Sequence, residues 1–457
     1  MNILQNTYLL PVNGKYLVYS PFASTRALVN KSAALEIKKG MKAGAAFSDN
    51  QGQVENLLIH LNEKKVLPEK RKGEINPLFL GIIPTRSCNG ACNYCDFGAD
   101  KAPDLYMPLK RAVSAVDWYS GIVRKNKHKL LEIHFFGGEP MMAMDVVETV
   151  VHRARFNAQN ANLKTVFEIS TNGQYHRDKA EFLGSYFTTV ILSLDGFEPV
   201  QNAHRPLKNG RGSFQDARRT AEIISGSSAR LGLRACVSDK NVDQMGKIAE
   251  WFCREFKPFS INFEALRETS ETSIKNLYPP DPVKFAVSLI KARRICASYG
   301  IPLVYATDIS MNPVYSSCPV GKDTAIVSPD GRISNCYLMP EKWKEIGMDL
   351  DFGFIRDDNV VVIEKGNLKT IRNDITKKPR CSRCFCRWSC AGGCHVGNTF
   401  PGAGNDYNDY CRQTRMISLS TLLDSLGMDE MTNEILEETA RLESFANQSS
   451  DLLMDFM

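Results

Sequence analysis

The chain has 457 residues and a formal net charge of +6, from 57 Lys and Arg against 51 Asp and Glu. Hydrophobic residues make up 43% and charged residues 24%, as in a globular protein of two or three domains. The basic excess is small and forms no Lys/Arg block, so no nucleic-acid partner is indicated. No apolar run reaches about 18 residues, and the start lacks the pattern of a secretory signal. We therefore expect no membrane association and a cytoplasmic protein.

Residues 1–75 are expected to form a small N-terminal α+β domain. Asn13-Gly14 separates two short apolar runs, which is a β-hairpin signal. Helical patterns cover 24–39 and 52–63. The charged segment 69–74 is typical of a linker.

Residues 76–305 alternate between strand and helix patterns, which predicts an α/β fold with a parallel sheet. The predicted strands are 78–84, 131–136, 166–170, 190–194, 231–237 and 260–265. The predicted helices are 107–126, 144–159, 177–185, 213–227, 242–256 and 281–299. Six such units favour a partial (β/α)6 barrel of the TIM type over a closed one. Ligands are expected at the carboxyl ends of the strands.

Most of the fourteen cysteines lie in two fields, at 88–95 and at 318–411. In a reducing cytosol such cysteines are better explained as metal ligands than as disulfides. Residues 306–415 are rich in Cys, Gly and turn residues, so we expect a small domain that depends on metal. Residues 416–457 read as a helical tail. The isolated Cys236, Cys253 and Cys296 are expected to be buried as small apolar side chains.

The first field is a loop in which Cys88, Cys92 and Cys95 follow the first strand of the series. Three thiolates can hold three irons of a [4Fe–4S] cluster and leave the fourth iron open to a ligand. From the spacing alone, a zinc knuckle completed by a fourth ligand from elsewhere stays open as an alternative.

The loop resembles the CxxxCxΦC signature of the radical S-adenosylmethionine (SAM) superfamily, with Tyr94 as the aromatic residue. The family's GGEP motif matches a segment after the second strand, formed by Gly137, Gly138, Glu139 and Pro140. The resemblance implies that SAM binds the open iron and is cleaved to a 5′-deoxyadenosyl radical. It also implies that Glu139 and nearby backbone carbonyls hold the SAM amino group.

Polar residues at the next two strand ends also match the family. The resemblance places Ser170, Asn172, Ser193 and Asp195 against the ribose and methionine parts of SAM. It places Arg205 on the SAM carboxylate, for which a guanidinium is suited. The alternatives are a helix cap for each Ser or Asp and a surface salt bridge for Arg205. His204 is expected to be exposed to solvent.

The second field resembles the SPASM extension of peptide-modifying radical SAM enzymes. Its cysteines are Cys318, Cys336, Cys381, Cys384, Cys390, Cys394 and Cys411. The resemblance assigns Cys381, Cys384, Cys390 and Cys411 to one auxiliary [4Fe–4S] cluster, and the other three to a second. A cysteine that many relatives use as a further ligand is replaced by Thr324. Either the second cluster has an open iron, or Cys386 supplies the ligand. A zinc ribbon is the alternative for the whole field.

The resemblance implies a radical SAM/SPASM maturase that crosslinks a ribosomally made precursor peptide with a leader. It implies three [4Fe–4S] clusters, SAM and an external electron donor such as flavodoxin or ferredoxin. Alternatives are an anaerobic sulfatase-maturating enzyme and an iron–sulfur electron carrier without SAM chemistry. Asp323 and Tyr337 are candidates for the catalytic base by their nearness to auxiliary ligands. The N-terminal domain is either a winged-helix-like module that binds the leader as an added strand or a plain cap.

Overall fold

The structure is a computed structural model that describes most of the chain. The described residues are 6–43, 52–63, 66–99, 104–267, 275–307, 312–318, 323–374, 381–396 and 408–437, with single positions 272, 309, 320 and 378. The predicted tail beyond residue 437 lies outside the described residues. Among those described, no helix is both long and apolar enough to cross a membrane.

The N-terminal domain is a three-stranded antiparallel sheet followed by two helices. Its elements are β1 (Tyr8–Val12), β2 (Lys15–Ser20), β3 (Thr25–Val29), α1 (Lys31–Ala43) and α2 (Gln53–Glu63). The predicted hairpin is confirmed, because Asn13 and Gly14 both have positive φ angles, of 45° and 73°, as a type I′ turn requires.

The prediction of a helix from residue 24 was wrong, since residues 25–29 form β3 and pair with β2. The helix begins only after Asn30, whose side-chain oxygen accepts a hydrogen bond from the Ala33 amide at 2.9 Å. An Asn that caps a helix in this way fixes its start. The pairing of β3 with β2 therefore overrides the helical pattern of the segment before the cap.

The predicted strand and helix series at 76–305 forms one parallel sheet. Its strands are β4 (Leu80–Ile82), β5 (Leu130–Phe135), β6 (Lys164–Thr171), β7 (Thr189–Ser193), β8 (Arg230–Val237), β9 (Ser260–Ala265) and β10 (Leu303–Val304). The helices are α3 (Leu109–Lys125), α4 (Met144–Ala161), α5 (Arg177–Tyr186), α6 (Glu198–His204), α7 (Phe214–Ser225), α8 (Met245–Phe256) and α9 (Pro282–Ser298). The strands lie in chain order with parallel neighbours throughout.

Helical periodicity explains why these helices cover the sheet. In α3 the buried residues include Ala112, Ala115, Val116, Tyr119 and Val123, which share one helix face at 3.6 residues per turn. Cys253 on α8 and Cys296 on α9 are 1% and 0% exposed in the same core, as predicted for isolated cysteines. Cys236, at the end of β8, is only half-buried and lies beside the site described below.

The sheet does not end with the parallel series. Four short strands extend it beyond β4, namely β11 (Ala325–Val327), β12 (Arg332–Ser334), β13 (Asp351–Ile355) and β14 (Val361–Ile363). β11 runs parallel to β4, and the remaining strands are antiparallel. The cysteine-rich region is therefore joined to the barrel-like core by backbone hydrogen bonds, which its composition did not predict.

Four helices complete the C-terminal part: α10 (Pro340–Lys344), α11 (Lys365–Asp374), α12 (Asp409–Asp424) and α13 (Asp429–Glu437). One apolar cluster joins the N-terminal sheet to the second cysteine field, through Tyr8, Leu10, Leu17 and Tyr19 on one side and Cys384, Phe385, Cys386, Cys390 and Leu422 on the other. The Trp388 indole also donates to Asn6 at 2.8 Å. The N-terminal domain thus packs directly on the predicted auxiliary-cluster region.

Candidate active site

The loop that carries Cys88, Cys92 and Cys95 leaves the carboxyl end of the sheet after β4. A Cβ atom placed on Gly90 would lie 3.5 Å from the Cys88 sulfur and 3.6 Å from the Cys92 sulfur, so both thiols lie around this glycine. Burial, with Glu139 and the neighbouring thiols adding to it, raises the pKa of Cys88 to about 12. Burial also raises the pKa of Cys92 to about 11, although Arg205 opposes it. Without metal, these thiols are protonated at neutral pH.

The glycines of the Gly137-Gly138-Glu139-Pro140 motif allow its backbone to lie against the segment that leads into the loop. A Cβ atom on Gly138 would lie 2.0 Å from the Ser87 carbonyl oxygen. The Glu139 amide donates to that oxygen at 2.8 Å, and the Gly138 amide donates to the Thr85 carbonyl at 3.1 Å. A larger residue at position 138 is therefore excluded by backbone contact.

The Glu139 carboxylate is 1% exposed and lies close to Cys88. It accepts hydrogen bonds from the Thr171 hydroxyl at 2.8 Å, the Asn172 amide at 2.7 Å and the Met141 amide at 3.1 Å. Burial raises the pKa of Glu139 to about 6 despite these donors. A carboxylate has about four acceptor sites, so one remains for a cationic ligand.

Asp195 is the centre of a buried polar network behind the loop. Its carboxylate accepts from the Tyr94 hydroxyl at 2.6 Å and the Cys236 amide at 3.0 Å, and lies 3.2 Å from His204 Nδ1. Arg205 Nε lies 3.1 Å from Asp195 Oδ1. Burial alone would raise the pKa of Asp195, but Arg205 and His204 outweigh it and lower the pKa to about 2.

This network sets the surroundings of three residues. His204 is 1% exposed and not solvent-exposed as predicted, because its two ring nitrogens contact Asp195 and, at 3.1 Å, Ser238. Arg205 is not a surface residue, since its Nε pairs with Asp195 and its guanidinium lies over the Tyr94 ring at 5.2 Å. The contacts of Arg205 and Asp195 with SAM stay predictions. Together these residues hold in place the loop that carries Cys88, Cys92 and Cys95, which we call the cluster loop.

The segment after α6 also fixes the loop through its backbone. The Ala91 amide donates to the Pro206 carbonyl at 2.8 Å, and the Asn93 amide donates to the His204 carbonyl at 2.9 Å. The Lys208 amide donates to the Asn89 carbonyl at 2.9 Å. The chain between residues 203 and 208 is therefore a second wall of the loop.

The other strand-end residues divide into two kinds. Ser170 on β6 and Ser193 on β7 lie on the half-buried face of the sheet, and their hydroxyls have no hydrogen-bond partner among the described residues. Asn172 instead contacts the cluster loop, since its Nδ2 lies 3.6 Å from Cys88 Sγ and donates to Asn89 Oδ1 at 2.8 Å. The two serines are thus available to a ligand, while Asn172 orients the loop.

The seven C-terminal cysteines gather into two groups. Burial raises the pKa of Cys336 to about 12, and the nearby Cys318 and Cys394 add to this increase. Burial, followed by Cys384 and Cys411, raises the pKa of Cys381 to about 12. Burial and the thiols of Cys381, Cys411 and Cys384 raise the pKa of Cys390. Cys318 and Cys394 therefore lie near Cys336 (the three-thiol group), while Cys384 and Cys411 lie near Cys381 and Cys390 (the four-thiol group); their assignment to two clusters stays a prediction.

Within the described ranges, no three His, Cys, Asp or Glu side chains converge on the position of a single metal ion. In a four-iron cluster each thiolate binds a different iron, so its ligands do not need to share one point. Three separate thiol groups of this size and chemistry fit iron–sulfur clusters.

Cys386 lies with the four-thiol group. It is buried, hydrogen-bonds Cys384, and is also influenced by Cys390. Thr324, at the position of the missing cysteine, is buried, and its hydroxyl contacts the Asn335 carbonyl at 3.3 Å. This placement gives no support to Cys386 as a ligand of the three-thiol group.

We expect Cys390→Ala to lower the iron content of the reconstituted protein from about twelve to about eight irons per chain, because one [4Fe–4S] cluster is lost. Cys386→Ala is the matched control, because it is equally buried in the same cluster of side chains, and it should keep about twelve. Iron determination on anaerobically purified protein measures both. Equal iron loss in the two variants would contradict the ligand assignment.

The two catalytic-base candidates have different surroundings. Asp323 is 1% exposed and forms an ion pair with Arg372 through both its oxygens, so its carboxylate is held by a guanidinium. The Tyr337 hydroxyl is buried without a hydrogen-bond partner among the described residues. Its ring packs on Phe136 with centroids 4.9 Å apart, in a cluster that includes Cys88 and Cys95. Tyr337 therefore lies between the first cysteine loop and Cys336.

Arg267 is a site residue that the sequence interpretation missed. It follows β9 and hydrogen-bonds Cys394, and it is also close to Asp96 and Glu264. Its position after the last predicted strand of the series was the available signal, since side chains at strand carboxyl ends line the site of such folds. It connects the loop, the sheet end and the three-thiol group.

An open parallel sheet with a three-thiol loop at its carboxyl edge defines a class of iron–sulfur α/β proteins. Within that class, the sequence profile of the Radical SAM superfamily matches residues 82–252. The chain therefore contains a radical SAM domain, which confirms the resemblance drawn from its motifs.

Individual relatives of the chain are distant in sequence. The chain is 28% identical over 184 residues to an uncharacterized protein of Methanocaldococcus jannaschii, covering 40% of this chain and 60% of that protein. It is 23% identical to the radical SAM cyclopropyl synthase TigE of Paramaledivibacter caminithermalis, covering 45% of this chain and 44% of that enzyme. It is 24% identical to a serine-type anaerobic sulfatase-maturating enzyme of Klebsiella aerogenes, covering 67% of this chain and 77% of that enzyme.

The fold has a solved counterpart in anSMEcpe with bound AdoMet and Cp18Cys peptide. The TM-score is 0.60 at 21% identity, covering 78% of this chain and 99% of that chain. This likeness supports the α/β fold with a parallel-sheet radical SAM core.

Proposed function

We propose that the protein is a radical SAM maturase that installs a crosslink in a ribosomally made precursor peptide. The observation that carries this proposal is the gathering of ten cysteines into one three-thiol loop and two further groups in one chain. An electron carrier without SAM chemistry would not need the GGEP motif or the free serine hydroxyls at the strand ends.

Cys88, Cys92 and Cys95 would hold the SAM-binding cluster, and the two C-terminal groups would hold auxiliary [4Fe–4S] clusters. When bound, SAM and its cluster supply a 5′-deoxyadenosyl radical that abstracts hydrogen from the substrate. Glu139 would accept hydrogen bonds from the SAM ammonium, and Ser170 and Ser193 would contact its polar parts. Asp195, Arg205 and Tyr94 would keep the loop in its binding conformation.

The auxiliary groups would serve an oxidative reaction. A crosslink replaces two bonds to hydrogen with one bond between the two heavy atoms. Abstraction of the first hydrogen atom removes one electron and one proton, so one further electron and one further proton must leave. Cys336 of the three-thiol group is adjacent to Tyr337, which packs against the SAM-site motif through Phe136. We assign electron removal to these clusters. Burial raises the pKa of Tyr337 and keeps its phenol protonated, so we assign the released proton to solvent.

The N-terminal domain would bind the leader of the precursor. Among the described strands, β1 and β3 each have one unpaired edge, and an extended peptide can add to such an edge through main-chain hydrogen bonds. The simpler role, a cap over the four-thiol group, is supported by the apolar packing of β1 and β2 on Cys384 and Cys390.

Sulfatase maturation is the second candidate function. It is favoured by the extent of the match to the Klebsiella enzyme, which covers 67% of this chain. Against it, Tyr337 follows Cys336 where that branch is expected to have an aspartate base.

Anaerobic reconstitution, reduction with dithionite and addition of SAM should yield 5′-deoxyadenosine. With a short peptide encoded beside the gene as substrate, we expect loss of two hydrogens, and tandem mass spectrometry should locate a crosslink. A serine-containing sulfatase peptide is the comparison, because its formylglycine product reacts with a hydrazide probe whereas a crosslink does not. Absence of 5′-deoxyadenosine would reject the enzyme, and a hydrazide-reactive product would favour sulfatase maturation.

A further inference from the structure

A basic pocket lies on the outer side of the cluster loop. It is lined by Arg177, Lys208, Arg211 and Arg219, with Asp216 as the single carboxylate, and by neutral residues that include Asn89. Arg177 also pairs with Glu181 at 2.7 Å, so four cationic side chains meet two carboxylates and leave a local excess of two on one concave surface.

The positive charge of the pocket is only partly neutralised. Asp216 pairs with Arg219 at 2.7 Å and lies 3.8 Å from Arg211, whose side chain is 70% exposed. The Lys208 ammonium contacts only the Ala99 carbonyl, at 3.5 Å, among the described residues. Lys208 and Arg211 are therefore available to carboxylates of a partner.

The pocket is separated from the candidate cluster site by a single layer of side chains. Asn89 lines the pocket and follows Cys88 in the chain. The Asn172 side-chain nitrogen donates to Asn89 Oδ1 at 2.8 Å and lies 3.6 Å from the Cys88 sulfur. The Lys208 backbone is hydrogen-bonded to Asn89. The basic rim is thus attached to the loop that would hold the cluster.

We propose that this pocket, which we call the basic rim, docks an acidic one-electron donor of the flavodoxin type. The inference rests on the proposed function, because SAM cleavage needs one electron that the chain does not supply. Complementary charges steer such encounters and raise the association rate without a large interface. Electron transfer weakens steeply with distance, so a donor is best placed where the protein layer over the cluster is thin. A precursor peptide must instead reach the interior face of the sheet.

The test uses R177E/R211E in the reconstituted full chain, with K129E/K164E as the matched control. Arg177 and Arg211 have side chains that are 74% and 70% exposed. Lys129 and Lys164 are also exposed, and they lie at the amino-terminal end of the sheet, where the Lys164 amide pairs with the Lys129 carbonyl. With flavodoxin, its reductase and NADPH below saturation, we expect 5′-deoxyadenosine formation to fall about tenfold or more in R177E/R211E only. With dithionite, both variants should match the wild type. Added salt should slow the wild type with flavodoxin and leave R177E/R211E unaffected.

A second measurement does not depend on turnover. Flavodoxin binding to the immobilised protein should weaken about tenfold in R177E/R211E and stay unchanged in the control. Carbodiimide should crosslink Lys208 to flavodoxin carboxylates. Equal flavodoxin-driven rates and binding in all proteins would overturn the inference. The inference would also be overturned if the variant formed less 5′-deoxyadenosine than the wild type with dithionite, but only when the peptide is present. The basic rim would then bind the peptide. No 5′-deoxyadenosine from the wild type with dithionite would instead reject the proposed function.

Discussion

Asp195→Asn is expected to lower the free energy of unfolding by about 3–5 kcal/mol, because it leaves the Arg205 guanidinium, whose side chain is only 14% exposed, without its counter-charge. Asp195 is 0% exposed, and its carboxylate contacts Arg205, His204, Tyr94 and the Cys236 amide. Urea unfolding of the metal-free, reduced protein measures the change. The variant should also lose SAM cleavage, since the segment that fixes the cluster loop is anchored through this carboxylate.

The control for Asp195 is Asp358→Asn, which breaks an ion pair of the same type at the surface. Asp358 lies 2.6 Å from Arg356, and both side chains are at least half exposed, so the change should stay within about 1 kcal/mol. A loss in Asp195→Asn no larger than in this control would contradict the role of the network.

The pH dependence gives an independent check on the same carboxylate. The pKa of Asp195 is about 2 in the folded protein and about 3.9 in an unfolded chain. Its stabilising contribution is therefore complete above about pH 4 and is lost as the pH falls toward 2. The free energies of unfolding of the wild type and Asp195→Asn should therefore approach each other as the pH falls from about 4 to about 2.

Glu139→Gln is expected to weaken SAM binding by about 2–5 kcal/mol, the cost of removing one partner of a buried charge pair. That corresponds to roughly thirtyfold to several thousandfold in Kd. Glutamine preserves the size of the side chain and can still accept from the Asn172 amide, so the loss isolates the charge. Equilibrium dialysis with radiolabelled SAM and reconstituted protein measures it.

Two comparisons accompany Glu139→Gln. Because burial raises the pKa of Glu139 to about 6 and only the ionised form attracts an ammonium group, SAM affinity should rise with pH through about 6 in the wild type alone. Glu222→Gln, on the exposed face of α7 with an i,i+4 pair to Arg218, should bind SAM like the wild type. Unchanged affinity in Glu139→Gln would exclude this carboxylate from the SAM site.

The alternating series between residues 76 and 305 was predictable because helix and strand periodicities are local. All six predicted strands and helices of that series are present, with ends shifted by a few residues. The N-terminal error at residues 24–30 has the opposite cause. There, pairing with β2 decided the conformation, and a strand's partner is not visible in the strand's own pattern.

The cysteine-rich part shows the same division. Its spacing indicated how many clusters to expect, but not that β11 would add to β4 and extend the core sheet. Likewise the sequence marked Asp323 as a base candidate by nearness to Cys318, while its ion pair with Arg372 joins residues 49 positions apart.

The sequence by itself determined the class of chemistry, because the spacing of Cys88, Cys92 and Cys95 and the GGEP motif is contained within short segments. Only the tertiary structure decided how the site is held together and reached. It showed that Asp195 and Arg205 form an ion pair behind the loop, and it brought Lys208 and Arg211 beside Asn89 to form the basic rim. These contacts join residues about 10 to 120 positions apart, and folding alone sets such distances.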